Sequence, residues 1–178
     1  MSNVYSGSAC VLWMTGLPGS GKSTLASALA ERLGSTRPVE WLDGDQMRKV
    51  IPGVGFERAE RERYLAHVAL LASTLERHGV TPICSFVSPY RTSRRFAREL
   101  CRNFVEIHVA TPLAECERRD PKGLYRKART GELAHFTGVT DPYEPPEQAE
   151  LTLDTTQADV GELLTRITNY LEQSSFLK

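Results

Sequence analysis

The chain has 178 residues, enough for about one domain with a core of its own and no need of disulfide staples. At 40% hydrophobic and 25% charged it has the composition of an ordinary globular protein, which excludes the disordered and fibrous classes. Its 22 Lys and Arg balance 22 Asp and Glu, so no global field draws it to nucleic acid or an anionic membrane, and any anion site has to be local.

The polar stretch Met1 to Ser8 leads into an apolar, strand-like run, Cys10–Met14. Gly16-Leu17-Pro18-Gly19-Ser20-Gly21-Lys22-Ser23-Thr24 follows at once and fits G-x-x-x-x-G-K-[ST] at every fixed position. In such a loop the glycines let successive backbone N–H groups converge on phosphate oxygens, the lysine reaches the β and γ oxygens, and the serine hydroxyl ligates Mg²⁺. The pattern therefore predicts ATP and Mg²⁺ as cofactors, with Lys22 catalytic and Ser23 a metal ligand. A helix over Ser23–Leu33 follows, with Leu25, Leu29 and Leu33 on one face.

A second strand over Val39–Leu42 ends in Asp43-Gly44-Asp45-Gln46-Met47-Arg48. If a helix begins near Asp45, that carboxylate can hold Mg²⁺ or accept a proton from an acceptor hydroxyl, while Arg48, one turn on, pairs with an anionic substrate. A helix cap with an ion pair accounts for the same residues equally well. Gly55-Phe56 and Arg61 precede and open a long helix over Arg58–His78, stopped by Gly79, and offer an aromatic face and a cation.

The third strand, Thr81–Phe86, runs into Val87-Ser88-Pro89-Tyr90-Arg91 with no acid at its end. The expected consequence is that metal binding falls on Ser23 and Asp45. A helix over Thr92–Leu100, a strand over Val105–Val109 and a helix from Pro112 to Arg119 continue the alternation, and a strand at Leu151–Leu153 and a helix at Val160–Leu171 complete it. Strands alternating with helices predict an α/β fold with about five parallel strands flanked by helices, of the P-loop NTPase type. Asp120–Pro146 breaks the rhythm, with Gly123, Gly131, Gly138, Pro142, Pro145 and Pro146 and a short basic helix over Leu124–Arg129. Such a segment between a helix and the last strand reads as a lid whose Lys122, Arg126, Lys127 and Arg129 can close over phosphates and exclude water.

Cys10, Cys84, Cys101 and Cys116 form no C-x-x-C pair and read as core thiols of a reducing compartment. With no secretory leader and no apolar run long enough for a bilayer, a cytoplasmic protein is expected. A GTPase is disfavoured, since none of Asn3, Asn103 and Asn169 stands in an N-K-x-D motif.

Taken together, GLPGSGKST, DGDQMR, GF followed by ERER, SFVSPYRTSRR, CERRDPKGLYRKARTGE and HFTGVTDPYEPPE resemble the adenylyl-sulfate kinase (APS kinase) family from about Val11 to Thr155. The resemblance implies transfer of the γ-phosphoryl of ATP to the 3′-hydroxyl of adenosine 5′-phosphosulfate, giving 3′-phosphoadenosine 5′-phosphosulfate, by a homodimer. It also implies roles. Asp45 is the acid beside the acceptor hydroxyl and Mg²⁺, Arg48 and Arg61 hold the phosphosulfate, Phe56 and Phe136 sandwich the adenine, and Lys122 is the lid lysine. Val87, Ser88 and Thr137 complete the substrate contacts, and Ser88 matches a serine described in some members as a phosphoserine intermediate. Direct in-line transfer is the expected mechanism, because nothing in the sequence supplies a base for Ser88.

The match departs at Tyr64, Ala66 and His67, where the family has an asparagine and an arginine pair. Tyr64 presents no amide to the substrate. It leaves open an acceptor such as cytidine diphosphoramidate, used by relatives of the family, and a non-catalytic ATP-binding partner of ATP sulfurylase.

Overall fold

The computed structural model describes residues 8–51 and 53–177; the polar start through residue 7 lies outside them. Five strands, β1 (Val11–Thr15), β2 (Val39–Asp43), β3 (Thr81–Ser85), β4 (Phe104–Val109) and β5 (Leu151–Leu153), form one parallel sheet in the order β2-β3-β1-β4-β5. All five expected strands are present, displaced by at most one residue at either end.

Helices α1 (Lys22–Gly34) and α7 (Val160–Gln173) cover one face of the sheet, and α3 (Arg58–Arg77) and α4 (Arg91–Leu100) the other. The central strand shows why Val11–Met14 is apolar at every position. Leu12 and Met14 pack with Leu25, Leu29, Ile83 and Ile167, while Val11 and Trp13 pack with Leu65, Val68, Ala72 and Phe104. A strand covered on both faces cannot alternate with polar residues.

The helix ends follow from local chemistry. Glu57 and Glu60 form a reciprocal capping box at the start of α3, and Gly79, at φ 81°, takes the left-handed position just beyond its end. Asp159 and Glu162 cap α7 in the same way. Short helices α2 (Gly44–Val50), α5 (Leu113–Arg119) and α6 (Leu124–Arg129) lie at the carboxyl ends of the strands, where open α/β sheets collect their ligands. Helix α2 begins at Gly44, and its cap is Asp43, whose side chain accepts from the backbone N–H groups of Asp45 and Gln46 at 3.0 and 3.2 Å. The capping role considered for Asp45 thus belongs to Asp43, leaving the Asp45 side chain free of the helix end.

Between α5 and β5 the expected lid is ordered around α6. Asp120 accepts from the N–H groups of Tyr125 and Arg126, and Tyr125 is buried, its hydroxyl donating to the Pro18 carbonyl at 2.9 Å. Pro18, a free position in the phosphate-loop pattern, is therefore the point where segment 120–146 docks on that loop. No described helix is long and apolar enough to cross a membrane.

Candidate active site

A cleft of about 570 Å³ opens along the carboxyl ends of β1, β2 and β3 and runs from the phosphate loop to the lid. Its lining includes Pro18, Gly19, Gly21, Lys22, Ser23 and Thr24 at one end, and Arg48, Phe56, Tyr64, Lys122 and Phe136 at the other. Asp43, Asp45, Arg61, Val87, Ser88 and Thr137 lie along it as well. The residues expected from sequence to meet acceptor and lid are thus brought together, although they come from five separate segments.

The loop owes its shape to close approach. A Cβ on Gly16 would come within 2.4 Å of the Val109 carbonyl oxygen, and Gly21, at φ 102°, precedes α1 in the left-handed region. Gly16, Leu17 and Ser20 hold the lysine: Lys22 Nζ donates to the Gly16 carbonyl at 2.9 Å, to the Leu17 carbonyl at 2.7 Å and to Ser20 Oγ at 3.3 Å. Burial lowers the Lys22 ammonium to about 8, so a polyphosphate beside it would meet a cation poorly served by water.

The carboxylate nearest Ser23 is one the sequence reading passed over. Ser23 Oγ donates to Asp43 Oδ2 at 3.0 Å, and Ser85 Oγ donates to the same oxygen at 3.1 Å. Trp41 Nε1 in turn donates to Ser85 Oγ at 2.9 Å. Asp43 and Ser85 are register partners at the ends of β2 and β3, so an acid on β2 supplies what the end of β3 lacks. Ser23 and Asp45, expected to share Mg²⁺, are not bonded to one another here. Asp45 instead meets Lys122, which reaches from the lid to its Oδ2. A hydroxyl and a carboxylate, both hard oxygen donors, make Ser23 and Asp43 a fitting pair for Mg²⁺.

Arg48 lies between two rings, its Cζ 4.5 Å from the centre of Phe56 and 4.8 Å from that of Tyr64. Its Nη1 donates to the Val54 and Gly55 carbonyls at 3.3 and 3.2 Å, and burial lowers its ordinary pKa. Tyr64 is buried, and its hydroxyl donates to the Gly44 carbonyl at 3.2 Å. Burial raises that phenol to about 12, which keeps it a neutral donor. Of the three departures from the family pattern, only Tyr64 lines the cleft; His67 is exposed on α3.

Arg61 is committed elsewhere. It donates to the carbonyls of Phe56 and His135 and to Thr137 Oγ1, and it pairs with Asp141 at 3.3 Å. In this arrangement the guanidinium expected to grip an anion ties the start of α3 to the lid. Phe136 stands edge-on to Tyr125, ring centres 5.0 Å apart, while Phe56 is 56% exposed and offers a face for stacking.

Ser88 is buried with a φ of 36°, and its hydroxyl accepts from Trp13 Nε1 at 3.1 Å and donates to the Phe86 carbonyl at 3.4 Å. Neither partner is a base. Arg119, which sequence reasoning also missed, lines the loop end of the cleft and donates to Thr155 Oγ1 at 2.8 Å. Among the cysteines, Cys10, Cys84 and Cys116 are buried and Cys101 partly so, all as free thiols, and no group of three potential metal ligands forms from His, Cys, Asp and Glu among the described residues.

The sequence model of adenylylsulphate kinase matches residues 8–154. A probable adenylyl-sulfate kinase of Aeropyrum pernix is 53% identical over 151 residues, 82% of each chain. An adenylyl-sulfate kinase of Synechococcus sp. is 43% identical over 93% of this chain and 96% of its own. The solved Mycobacterium tuberculosis APS kinase in complex with AMPPNP and APS superposes with a TM-score of 0.88 at 35% identity, covering 93% of this chain and 99% of that one. With the loop, the acids of β2 and the lid arranged as described, these matches establish that the chain belongs to the adenylyl-sulfate kinase family.

Proposed function

We propose that the protein transfers the γ-phosphoryl of ATP to the 3′-hydroxyl of adenosine 5′-phosphosulfate. The observation that carries this reading is the continuity of one cleft from Lys22 and Ser23 to the Arg48, Phe56, Phe136 and Lys122 group. A donor triphosphate at the first end and an anionic, aromatic acceptor at the second would meet near Asp45. The loop amides and Lys22 bind and orient the phosphates, and Asp45 receives the acceptor hydroxyl proton. Arg48 pairs with the acceptor's anionic end, and the lid excludes water. Mg²⁺, held by Ser23 and Asp43, would neutralise charge on the phosphate oxygens.

Ser88 serves this reading as a shaped backbone rather than a nucleophile, since its hydroxyl is engaged by Trp13 and has no base beside it. The convergence of Lys22, Ser23, Asp43, Asp45 and Lys122 favours turnover over passive ATP binding. A soluble, cytoplasmic homodimer is the form in which the enzyme is proposed to act, with light scattering as the measurement.

The decisive assay follows ADP release with Mg·ATP and adenosine 5′-phosphosulfate, beside parallel reactions with cytidine diphosphoramidate and AMP. Release above the ATPase background with the first alone is expected. Release only with cytidine diphosphoramidate would transfer the acceptor site to that class. Ser88→Ala is expected to keep most of the turnover, and its loss would restore a covalent step.

A further inference from the structure

Val87 and Ser88 form part of the acceptor wall, yet Ser88 holds a left-handed backbone, φ 36°, that a non-glycine residue adopts only under strain. Such strain persists only where surrounding groups over-determine it. Thr15 Oγ1 donates to the Val87 carbonyl at 2.8 Å and to the Ser88 carbonyl at 3.3 Å, and Arg94 Nη1 donates to the Ser88 carbonyl at 2.6 Å. Arg94 is 2% exposed and spends its other edges on Glu106 Oε1, through Nε at 2.6 Å, and on the Glu144 carbonyl, through Nη2 at 2.7 Å. Glu144 returns a second tie, its N–H donating to the Pro89 carbonyl at 2.8 Å. One buried guanidinium thus joins α4, β4, the strained acceptor loop and the far end of the lid segment, without lining the cleft itself.

We infer that Arg94 is a positioning residue for the phosphoryl acceptor: it holds the Val87–Ser88 backbone in its strained shape and fastens the root of the lid to it. The three directions of its contacts require a planar fork, so a lysine, which presents a point charge, does not replace it. The kinetic consequence rests on the acceptor reading above, whereas the backbone consequence does not.

The test compares wild type with Arg94→Lys, Arg94→Met and Thr15→Val, the last removing the other donor to the same carbonyl while leaving the Arg94–Glu106 pair in place. Amide exchange read by mass spectrometry, without any acceptor, is expected to rise in segments 86–90 and 141–145 of Arg94→Lys and Arg94→Met, and in both segments of Thr15→Val, because the Thr15 hydroxyl also lies 3.0 Å from that of Tyr143. In steady state the acceptor KM is expected to rise about tenfold while the ATP KM stays within about twofold. Unchanged exchange in both segments of a folded Arg94 variant overturns the inference, as does an equal rise of both KM values. If Arg94→Met does not fold, Arg94→Lys decides, since it keeps the charge without the fork, and unchanged exchange with an unchanged acceptor KM in that variant overturns the inference. Wild-type protein inert toward adenosine 5′-phosphosulfate would remove the substrate reading alone, with the exchange result still deciding the role of Arg94.

Discussion

Ser23 and Asp43 share a hydrogen bond of 3.0 Å across the mouth of the phosphate loop, and the same carboxylate caps α2 through the N–H groups of Asp45 and Gln46. One side chain therefore joins the proposed metal position to the helix carrying Asp45 and Arg48. The two duties separate by substitution. Asp43→Asn keeps a good helix cap but removes the charge, and is expected to lose turnover about 100-fold or more with little change in thermal midpoint. Asp43→Ala is expected to lose the same turnover and a further stability of about 1 kcal/mol. Kinetics at saturating Mg·ATP with parallel thermal unfolding checks both, and an Asp43→Asn enzyme with normal turnover would exclude Asp43 from the metal.

The role of Asp43 was not legible in the sequence, for a topological reason. It depends on β2 lying beside β3 so that Asp43 faces Ser85, and no local pattern carries strand order. Arg94 was hidden differently, among Arg91, Arg95 and Arg98 on one short helix, where only burial against Glu106 singles it out. The strands, by contrast, were plain because a doubly covered parallel sheet requires unbroken apolar runs. The phosphate loop was plain because its glycines are imposed by close backbone approach, as at Gly16. Segment 120–146 was legible as an interruption of rhythm, whereas its docking through Tyr125 to the Pro18 carbonyl was not, since a free position in a motif advertises nothing about its carbonyl.

Lys22 gives ATP binding a pH dependence with a definite sign. Its native value of about 8 lies below its ordinary 10.5, so between these limits the native state binds fewer protons than the unfolded one. Stability therefore rises with pH across that window, and the cost of the buried charge is fully present below it. A triphosphate stabilises the charged form, so binding above pH 8 takes up a proton and the ATP Kd rises with pH, by at most about tenfold per pH unit. Titration calorimetry at pH 8.5 in buffers of different ionisation enthalpy should register that uptake. Lys22→Met is expected to abolish it together with most of the affinity.

Lys122 and Asp45 meet across the cleft with side chains 57% and 64% exposed. A pair so open to solvent contributes about 0–1 kcal/mol to stability, so Lys122→Ala is expected to leave the thermal midpoint nearly unchanged. Its effect falls on closure, because this contact lies at the lid's edge whereas Tyr125 and Arg61 anchor its body. A higher acceptor KM and faster proteolytic cleavage within residues 120–146 are the expected signs. A large fall in melting temperature would mean instead that the pair supports the fold.

Tyr64, where the sequence resemblance leads one to expect an amide, presents Arg48 with a ring. With Phe56 it encloses the guanidinium, and its hydroxyl engages the Gly44 carbonyl at the start of α2. Tyr64→Phe retains the enclosure and loses one hydrogen bond, an expected loss of about 1 kcal/mol in stability with a small change in acceptor KM. Tyr64→Leu opens one side of Arg48, and a rise of about tenfold in acceptor KM is expected with the ATP KM little affected. A double-mutant cycle with Arg48→Ala locates the effect, since the Tyr64→Leu loss should largely vanish once the guanidinium is gone. Full additivity would show that Tyr64 meets the acceptor without Arg48.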